Sequence, residues 1–434
     1  MSLPRYPDYR DSGVSWLGEV PRHWCVGQSR RLFRLRNERA LESDKQLTAS
    51  QEHGVIFQDE FVLREGRRVV EVIKGADILK HVEPNDFVIS MRSFQGGIEW
   101  CSERGRISSA YVMLVPVADE RVHAPYFAYL FKSQTYIQAL QATTNLVRDG
   151  QALRYGNFAQ VPLPLVPDGE QIAIAAFLDR ETAKIDALVA EQRRLIDLLK
   201  EKRQAVISHA VTKGLDPHAP MKPSGIDWLG DVPEHWEVRK LSQLFQAAKG
   251  KNGQMLTKEF CAENEGDYPV YSGQTENEGV MGTWNQFEFD FGDTGVLFST
   301  TVGSGKVMSL RRLFGRFSLS QNCMIIWPKQ DCCVTQFYYY HFQPLFNYER
   351  GLIPQHMQAS FRMEDLHGYR IALPPTDEQL RICSHLDATT ARFDALTAEA
   401  ELGIELLLER RSSLISAAVT GKIDVRGLVN TEAA

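Results

Sequence analysis

Thirteen residues at positions 12–24, SGVSWLGEVPRHW, return at positions 224–236 as SGIDWLGDVPEHW, with nine letters identical. A second echo follows each copy. EQIAIAAFLDRETAKIDAL at 170–188 is matched by EQLRICSHLDATTARFDAL at 378–396, and AVISHAVTKG at 205–214 by SLISAAVTGK at 413–422. Between the echoes of each half lie about 135 residues with no likeness to their counterparts. A repeat of this period is too long for a solenoid and predicts one structural frame built twice, each copy carrying a different insert.

The bulk numbers agree with a multi-domain globular chain. At 434 residues a single core no longer grows, and 43% hydrophobic with 10% aromatic residues is enough to fill more than one core. The start, MSLPRYPDYRDSG, has no apolar signal core, and no stretch approaches the roughly 18 apolar residues of a membrane span. The seven cysteines are scattered, with Cys332–Cys333 the one close pair and no C-x-x-C. Neither a metal site nor a disulfide framework is expected, and reduced thiols in a cytoplasm are the plain reading. The net charge of −6 gives no general pull toward nucleic acid. Basic residues are nevertheless clustered in RRLFRLRNER (Arg30 to Arg39), REGRR (Arg64 to Arg68) and GKVMSLRRLFGR (Gly305 to Arg316). Each cluster is either a solvated face or part of a surface on which basic groups converge.

Two long helices are predicted. The first carries apolar residues at Ile174, Leu178, Ile185, Leu188, Leu195, Leu199 and Val206, and the second at Ile382, Leu386, Phe393, Leu396, Leu407 and Leu414. These spacings follow a heptad seam, with Glu181, Gln192 and Lys202 as polar interruptions on the first and Gly403 as a weak point on the second. Proline runs precede both helices, Asp168 and Asp377 stand near the starts, and Gly214 and Gly421 close them. A lone heptad helix cannot bury its seam, so an antiparallel coiled coil with pseudo-twofold symmetry is the simplest solution. Two amphipathic helices each packed on its own domain are the alternative. The inserts show the composition of mixed α+β domains: strand-like RVVEVI, DFVISM and SAYVMLVPV in the first, YPVYSGQ, TGVLFSTTVGSGKVMSL and NCMIIWP in the second. Both then turn helical and aromatic.

Chemistry is harder to find. VGSGKV lacks the spacing and the hydroxyl residue of a phosphate loop, and the acids of PDGEQ sit at a helix start rather than on neighbouring strands. His23 and His235 recur beside Trp24 and Trp236 with no repeated nucleophile. Packing of Trp16, Trp24, Trp228 and Trp236 against the helices is the expected role of these aromatics. No catalytic site is expected.

W-L-G-x-V-P-x-H-W opening each half, PLPLVPDGEQ and ALPPTDEQ after each insert, and the terminal SAAVTGKID together resemble the specificity subunit of Type I restriction–modification systems. The resemblance covers essentially the whole chain. It implies an α+β molecule with two target-recognition domains joined by two long helices in an antiparallel coiled coil. The corresponding boundaries are 1–24 for the first repeat motif, 25–167 for the first target-recognition domain and 168–214 for the central helix. The second motif is then 215–236, the second domain 237–375, the C-terminal helix 376–421 and the tail 422–434. The resemblance further implies a non-catalytic, cytoplasmic subunit. Each domain would read one half of a bipartite double-stranded DNA site, and helix length would set the gap between the halves. Partners would be methyltransferase subunits using S-adenosylmethionine and motor–nuclease subunits using ATP and Mg, with no cofactor in this chain. A scaffold or antirestriction protein that binds methyltransferase subunits without reading DNA stays open, as does an enzyme with an unrecognised site.

Base readout favours Arg, Lys, Asn and Gln on base edges. In the first insert the candidates are Arg92, Ser93, Gln95, Arg148, Gln151, Arg154 and Tyr155. In the second they are Lys249, Lys251, Asn252, Gln274, Ser304, Lys306, Gln355 and His356. The coiled-coil candidates are Leu178, Ile185, Leu188, Leu195 and Leu199 facing Leu386, Phe393, Leu396, Leu407 and Leu414.

Overall fold

A computed structural model of the protein describes residues 3–66, 78–91, 93–118, 121–144, 153–300, 310–353 and 363–428. The strand-like RVVEVI, the VGSGKV turn and the segments NLVRDGQ and PQHMQASF lie wholly or mostly outside these residues. The chain divides into two compact units, residues 1–193 with 402–434 and residues 194–401, so the division falls inside both long helices. Among the described residues, no helix is long and apolar enough to cross a membrane.

The helices span Asp168–Lys213 and Thr376–Val419. At 1.5 Å per residue, 46 residues make a helix of about 69 Å. Both begin directly after prolines, with acids in the first turn that favour the positive helix end: Asp168 and Glu170 in one, Asp377 and Glu378 in the other. Both end at a glycine in the left-handed region, Gly214 at φ 77° and Gly421 at φ 72°. Gly421 is also required by space, because a Cβ there would stand 2.5 Å from Pro21 Cδ. Gly403 does not interrupt the C-terminal helix.

In the first unit the repeat motif forms an antiparallel hairpin, Tyr9–Asp11 with Glu19–Pro21. The chain then makes the strand Cys25–Gln28 and leaves on its insert, returning as Pro162–Leu165 to pair antiparallel with that same strand. Two prolines are tolerated there because the ladder has only two strands. Inside the excursion lies a four-stranded antiparallel sheet in the order Phe33–Arg36, Val112–Pro116, Phe87–Ile89, Glu99–Trp100. Helices Ala124–Lys132 and Gln134–Gln141 contribute to the core beside it. Phe33, Phe87, Phe127 and Phe131 meet edge-on or tilted at 5.1–5.7 Å between ring centres, the arrangement their quadrupoles favour. The tail completes this unit: Asp424 N–H donates to Pro4 O at 2.8 Å, and Ile423 and Val425 enter the same core.

The second unit follows the same plan without a chain break. Met221–Pro223 pairs with Asp231–Pro233, and Glu237–Lys240 pairs with the returning Arg370–Leu373. Its main sheet runs Phe245–Lys249, Cys323–Pro328, Val296–Thr300, Leu310–Leu313, the order found in the first unit. The aromatic helix Thr335–Gly351 supplies much of the core. What differs is the decoration. The first insert adds two small ladders, Leu47–Ser50 with Gly54–Phe57 and Lys80–Val82 with Gly105–Ile107. The second adds a sheet of Val280–Trp284, Tyr268–Tyr271, Arg316–Leu319 and Phe289–Asp290, which contains a parallel pair.

Candidate nucleic-acid interface

The duplicated Glu-Gln dipeptide joins each insert to its helix. Glu170 Oε2 accepts from Trp24 Nε1 at 2.9 Å and Tyr6 OH at 3.0 Å, and its Oε1 lies 2.6 Å from His23 Nε2. In the second unit Glu378 Oε2 accepts from Trp236 Nε1 at 3.0 Å and lies 2.8 Å from His235 Nε2. The neighbouring glutamines do the other half of the job. Gln171 accepts from His123 N–H and donates to the carbonyls of Arg121 and Val166, while Gln379 accepts from Val334 N–H and donates to Cys332 and Pro374. Buried polar groups must be paired, and these two side chains pair backbone both inside each insert and where it rejoins the helix. The repeated histidines and tryptophans are therefore absorbed by the frame.

Helix ends are satisfied the same way with different residues. The carbonyl of Val419 accepts from Tyr126 OH at 2.9 Å, and the corresponding carbonyl of Val211 lies 3.1 Å from His341 Nδ1. His341 Nε2 accepts from Ala372 N–H, so the ring is the neutral Nδ1–H tautomer, and complete burial pushes its pKa down to about 3.

Within each unit the two helices run antiparallel side by side. Asp186 receives a two-pronged contact from Arg411, at 2.8 and 3.2 Å, in the first unit. The equivalent pair in the second is Arg203 with Asp394 at 3.0 Å. Both pairs are partly exposed and worth at most about 1 kcal/mol each, but they repeat at the offset of the sequence duplication.

The seam itself needs correcting. Leu178, Ile185 and Leu386 are buried, and Leu199, Phe393, Leu407 and Leu414 are half-buried. Leu188, Leu195 and Leu396 are instead 52%, 42% and 49% exposed. The inward line on the central helix runs Leu178, Thr182, Ile185, Val189, Gln192, Ile196, Leu199, Arg203, in alternating steps of four and three. Three of those positions are polar, so following the leucines steps onto the neighbouring face. The exposed apolar residues also repeat: Ile172 with Leu380, Leu188 with Leu396 and Leu198 with Leu406.

Of the proposed base-reading residues, Arg92, Arg148, Gln151, Ser304, Lys306, Gln355 and His356 lie outside the described residues. Ser93 is corrected: it is 1% exposed and its hydroxyl accepts from Ser90 N–H. The need to close the turn after Phe87–Ile89 takes the group that base contact would require. Gln274 is half-buried with its amide donating to Val280 O at 2.7 Å, so its donors serve the loop. Gln95, Arg154, Lys249, Lys251 and Asn252 are exposed. Tyr155 is half-buried, its hydroxyl on Phe33 O at 3.2 Å.

Basic residues of the three clusters differ in what holds them. Arg64 pairs with Glu60, Arg316 with Asp290 at 2.8 Å, and Arg311 donates to Gln274 O. Arg36 is fixed on buried Asp86 at 2.8 Å. Two features escaped the sequence reading. His81, 5% exposed, has Nδ1 2.7 Å from Asp44 and Nε2 2.7 Å from Glu83. Glu52, His53 and Glu65 bring three donor atoms within 4.8 Å of one another, with His53 Nε2 3.1 Å from Glu65 Oε1. No spacing signal in the sequence announces either.

Comparison with known proteins gives the same reading. Residues 233–406 match the Type I restriction modification DNA specificity domain. The putative type I restriction enzyme MjaX specificity subunit of Methanocaldococcus jannaschii is 21% identical over 82% of this chain and 80% of its own length. The EcoBI specificity subunit of Escherichia coli is 30% identical, over 39% of this chain and 35% of its own. In fold, a chain solved in work on complex assembly and conformational transition of the type I R-M system aligns with a TM-score of 0.69, at 14% identity. It covers 92% of this chain and 98% of that one. The HsdS subunit of Thermoanaerobacter tengcongensis aligns at 0.52, also at 14% identity, over 93% and 98%. The duplicated frame, the paired helices and these matches agree: residues 233–406 match a Type I DNA specificity domain, and the chain is similar along most of its length to a Type I specificity subunit.

Proposed function

We propose that this sequence-specific DNA-recognition subunit reads a bipartite duplex site, one half with each insert. In this reading the paired helices hold the two readers a fixed distance apart, and helix length converts into the gap between half-sites. The observation that carries it is the shared exit and return of the inserts: each leaves and rejoins its frame on one two-stranded ladder. The inserts also touch the helices at matched places, Arg121 and His123 on Gln171 and Cys332 and Val334 on Gln379, so the surface away from these contacts is free to change without disturbing the helices. Two readers of different sequence on identical mounts are what a split, asymmetric site requires.

The duplicated exposed apolar positions on the helices, Ile172 with Leu380, Leu188 with Leu396 and Leu198 with Leu406, speak for docking the same partner twice. Methyltransferase subunits are that partner in this reading. Methyl transfer from S-adenosylmethionine and ATP-driven work then belong to the other subunits, and this chain contributes binding alone.

The test is an exchange of residues 25–160 for the corresponding insert of a related subunit, followed by selection of bound duplexes from a random pool with the reconstituted methyltransferase complex. One half-site is expected to change while the other and the gap stay constant. A simultaneous change in both halves would overturn the modular reading.

A further inference from the structure

Three basic runs stand out in the sequence, and among their described residues Arg36, Arg64, Arg311 and Arg316 are held by the protein's own acceptors. Arg30, Arg31 and Arg34 remain exposed, with no carboxylate within ion-pair distance among the described residues. Arg30 makes one contact, Nε to Gln28 Oε1 at 2.7 Å. They occupy the turn Ser29–Arg31 and the strand Phe33–Arg36, which is the outer edge of its sheet. The short helix Tyr155–Gln160 is fastened to that turn: Ser29 Oγ donates to Phe158 O at 2.9 Å, and Tyr155 OH donates to Phe33 O at 3.2 Å. Exposed Arg154 therefore stands at the start of a helix packed on the same patch.

The duplication supplies the decisive comparison. At an offset of 212 the second unit has Ser242, Gln243 and Gln246 where the first has Arg30, Arg31 and Arg34. Buried Phe245 corresponds to buried Phe33 at the start of an equivalent edge strand. Groups that dock a partner shared by both halves repeat, as the helix faces do. These arginines do not repeat, so they are not part of a face that docks a shared partner and belong to the first insert's own surface.

We propose that Arg30, Arg31 and Arg34 form a phosphate-binding edge that seats the DNA backbone against the first insert. This rests on the reading of the chain as a DNA-recognition subunit. Duplex DNA presents one negative charge per about 1.7 Å of axis, and guanidinium groups bind phosphate without reading sequence. The edge positions the duplex so that the insert's other residues meet the bases. A different role for charge on an edge strand is to block pairing with another chain; it makes the opposite prediction in the test.

The test uses the full chain and a mixed-sequence duplex, with affinity measured across a KCl series. The variant R30S/R31Q/R34Q carries the residues that the second unit already accommodates at these places. Each phosphate contact contributes about 0.9 to the slope of log K against log salt, so the slope is expected to fall by about 2.7 with no change in relative preference among sequences. The charge-retaining R30K/R31K/R34K should restore it. An unchanged slope in R30S/R31Q/R34Q, with duplex binding retained, overturns the edge while leaving the DNA reading intact. If the unaltered chain shows no salt-dependent duplex binding, the DNA reading itself falls.

Discussion

At the scale of single residues, His81 shows how the fold fixes a charge the sequence does not advertise. Carboxylates only accept, so a ring with both nitrogens 2.7 Å from Asp44 and Glu83 holds both protons and is a cation. Burial pulls its pKa down, but the hydrogen bonds to Asp44 and Glu83 and their charges outweigh that and raise it. Asp44 responds in the opposite sense. Burial pushes its pKa up, but the Leu41 N–H and His81 hold it below the ordinary aspartate value. The His81 contribution is thus complete below the unfolded histidine value of about 6.5 and drains away as pH rises through the raised folded value. Asp44's is present above about 3.9 and is lost as pH falls. Hydrogen exchange in the strands Lys80–Val82 and Gly105–Ile107 is therefore expected to quicken, beyond its intrinsic pH dependence, as pH rises above about 6.5. His81→Gln should flatten that trend, and parallel profiles for the two proteins would contradict the assignment. Glu83 is a near neighbour of His81 in the sequence, but Asp44, 37 residues away, reaches it only in the fold, where Arg39 bridges Lys80. The roles of Glu170 and Glu378 were half legible: the repeat marks them as important, while the indole and imidazole that they hold become visible only in three dimensions.

At the scale of elements, the long helices were readable and their inward face was not. Proline runs, first-turn acids and closing glycines mark both ends of each helix. Of the polar interruptions read from the spacing Gln192 is on the inward line, but the seam escaped because Thr182 and Arg203 sit on it in place of Glu181 and Lys202, while Leu188 and Leu195 do not. Heptad logic follows apolar letters, whereas this pairing runs through hydroxyl, amide and guanidinium positions. The two glycines of the C-terminal helix separate local propensity from packing. A Cβ at Gly403 meets nothing within 4 Å, so Gly403→Ala is expected to stabilise the protein by about 1 kcal/mol, the helix-propensity difference. At Gly421, with φ 72° and a Cβ that would press on Pro21 and Trp24, alanine is expected to destabilise by more than that gain. Thermal melts of both variants check the pair. Shifts of the same sign would mean that the helix ends elsewhere or packs differently.

At the scale of the whole molecule, the duplication was legible because both copies of the frame must satisfy the same bonds. The ion pairs Asp186–Arg411 and Asp394–Arg203, the Trp–Glu contacts and the Gln bridges each appear twice. The inserts share a sheet order without sharing sequence, since a strand core needs apolar alternation rather than particular letters. Their recognition surfaces were the least legible part. Base contact depends on where polar side chains point, and Ser93 and Gln274 turn theirs into the protein's own turns. In the proposed reading this chain selects a split DNA sequence for its complex. Single-molecule sequencing of the host's DNA for methyladenine, with the gene intact and then deleted, tests it most directly. The expected result is one motif of two short halves around a fixed gap, present with the gene and lost without it. A methyladenine pattern that does not change on deletion in a host whose methyltransferase partner is active would contradict it.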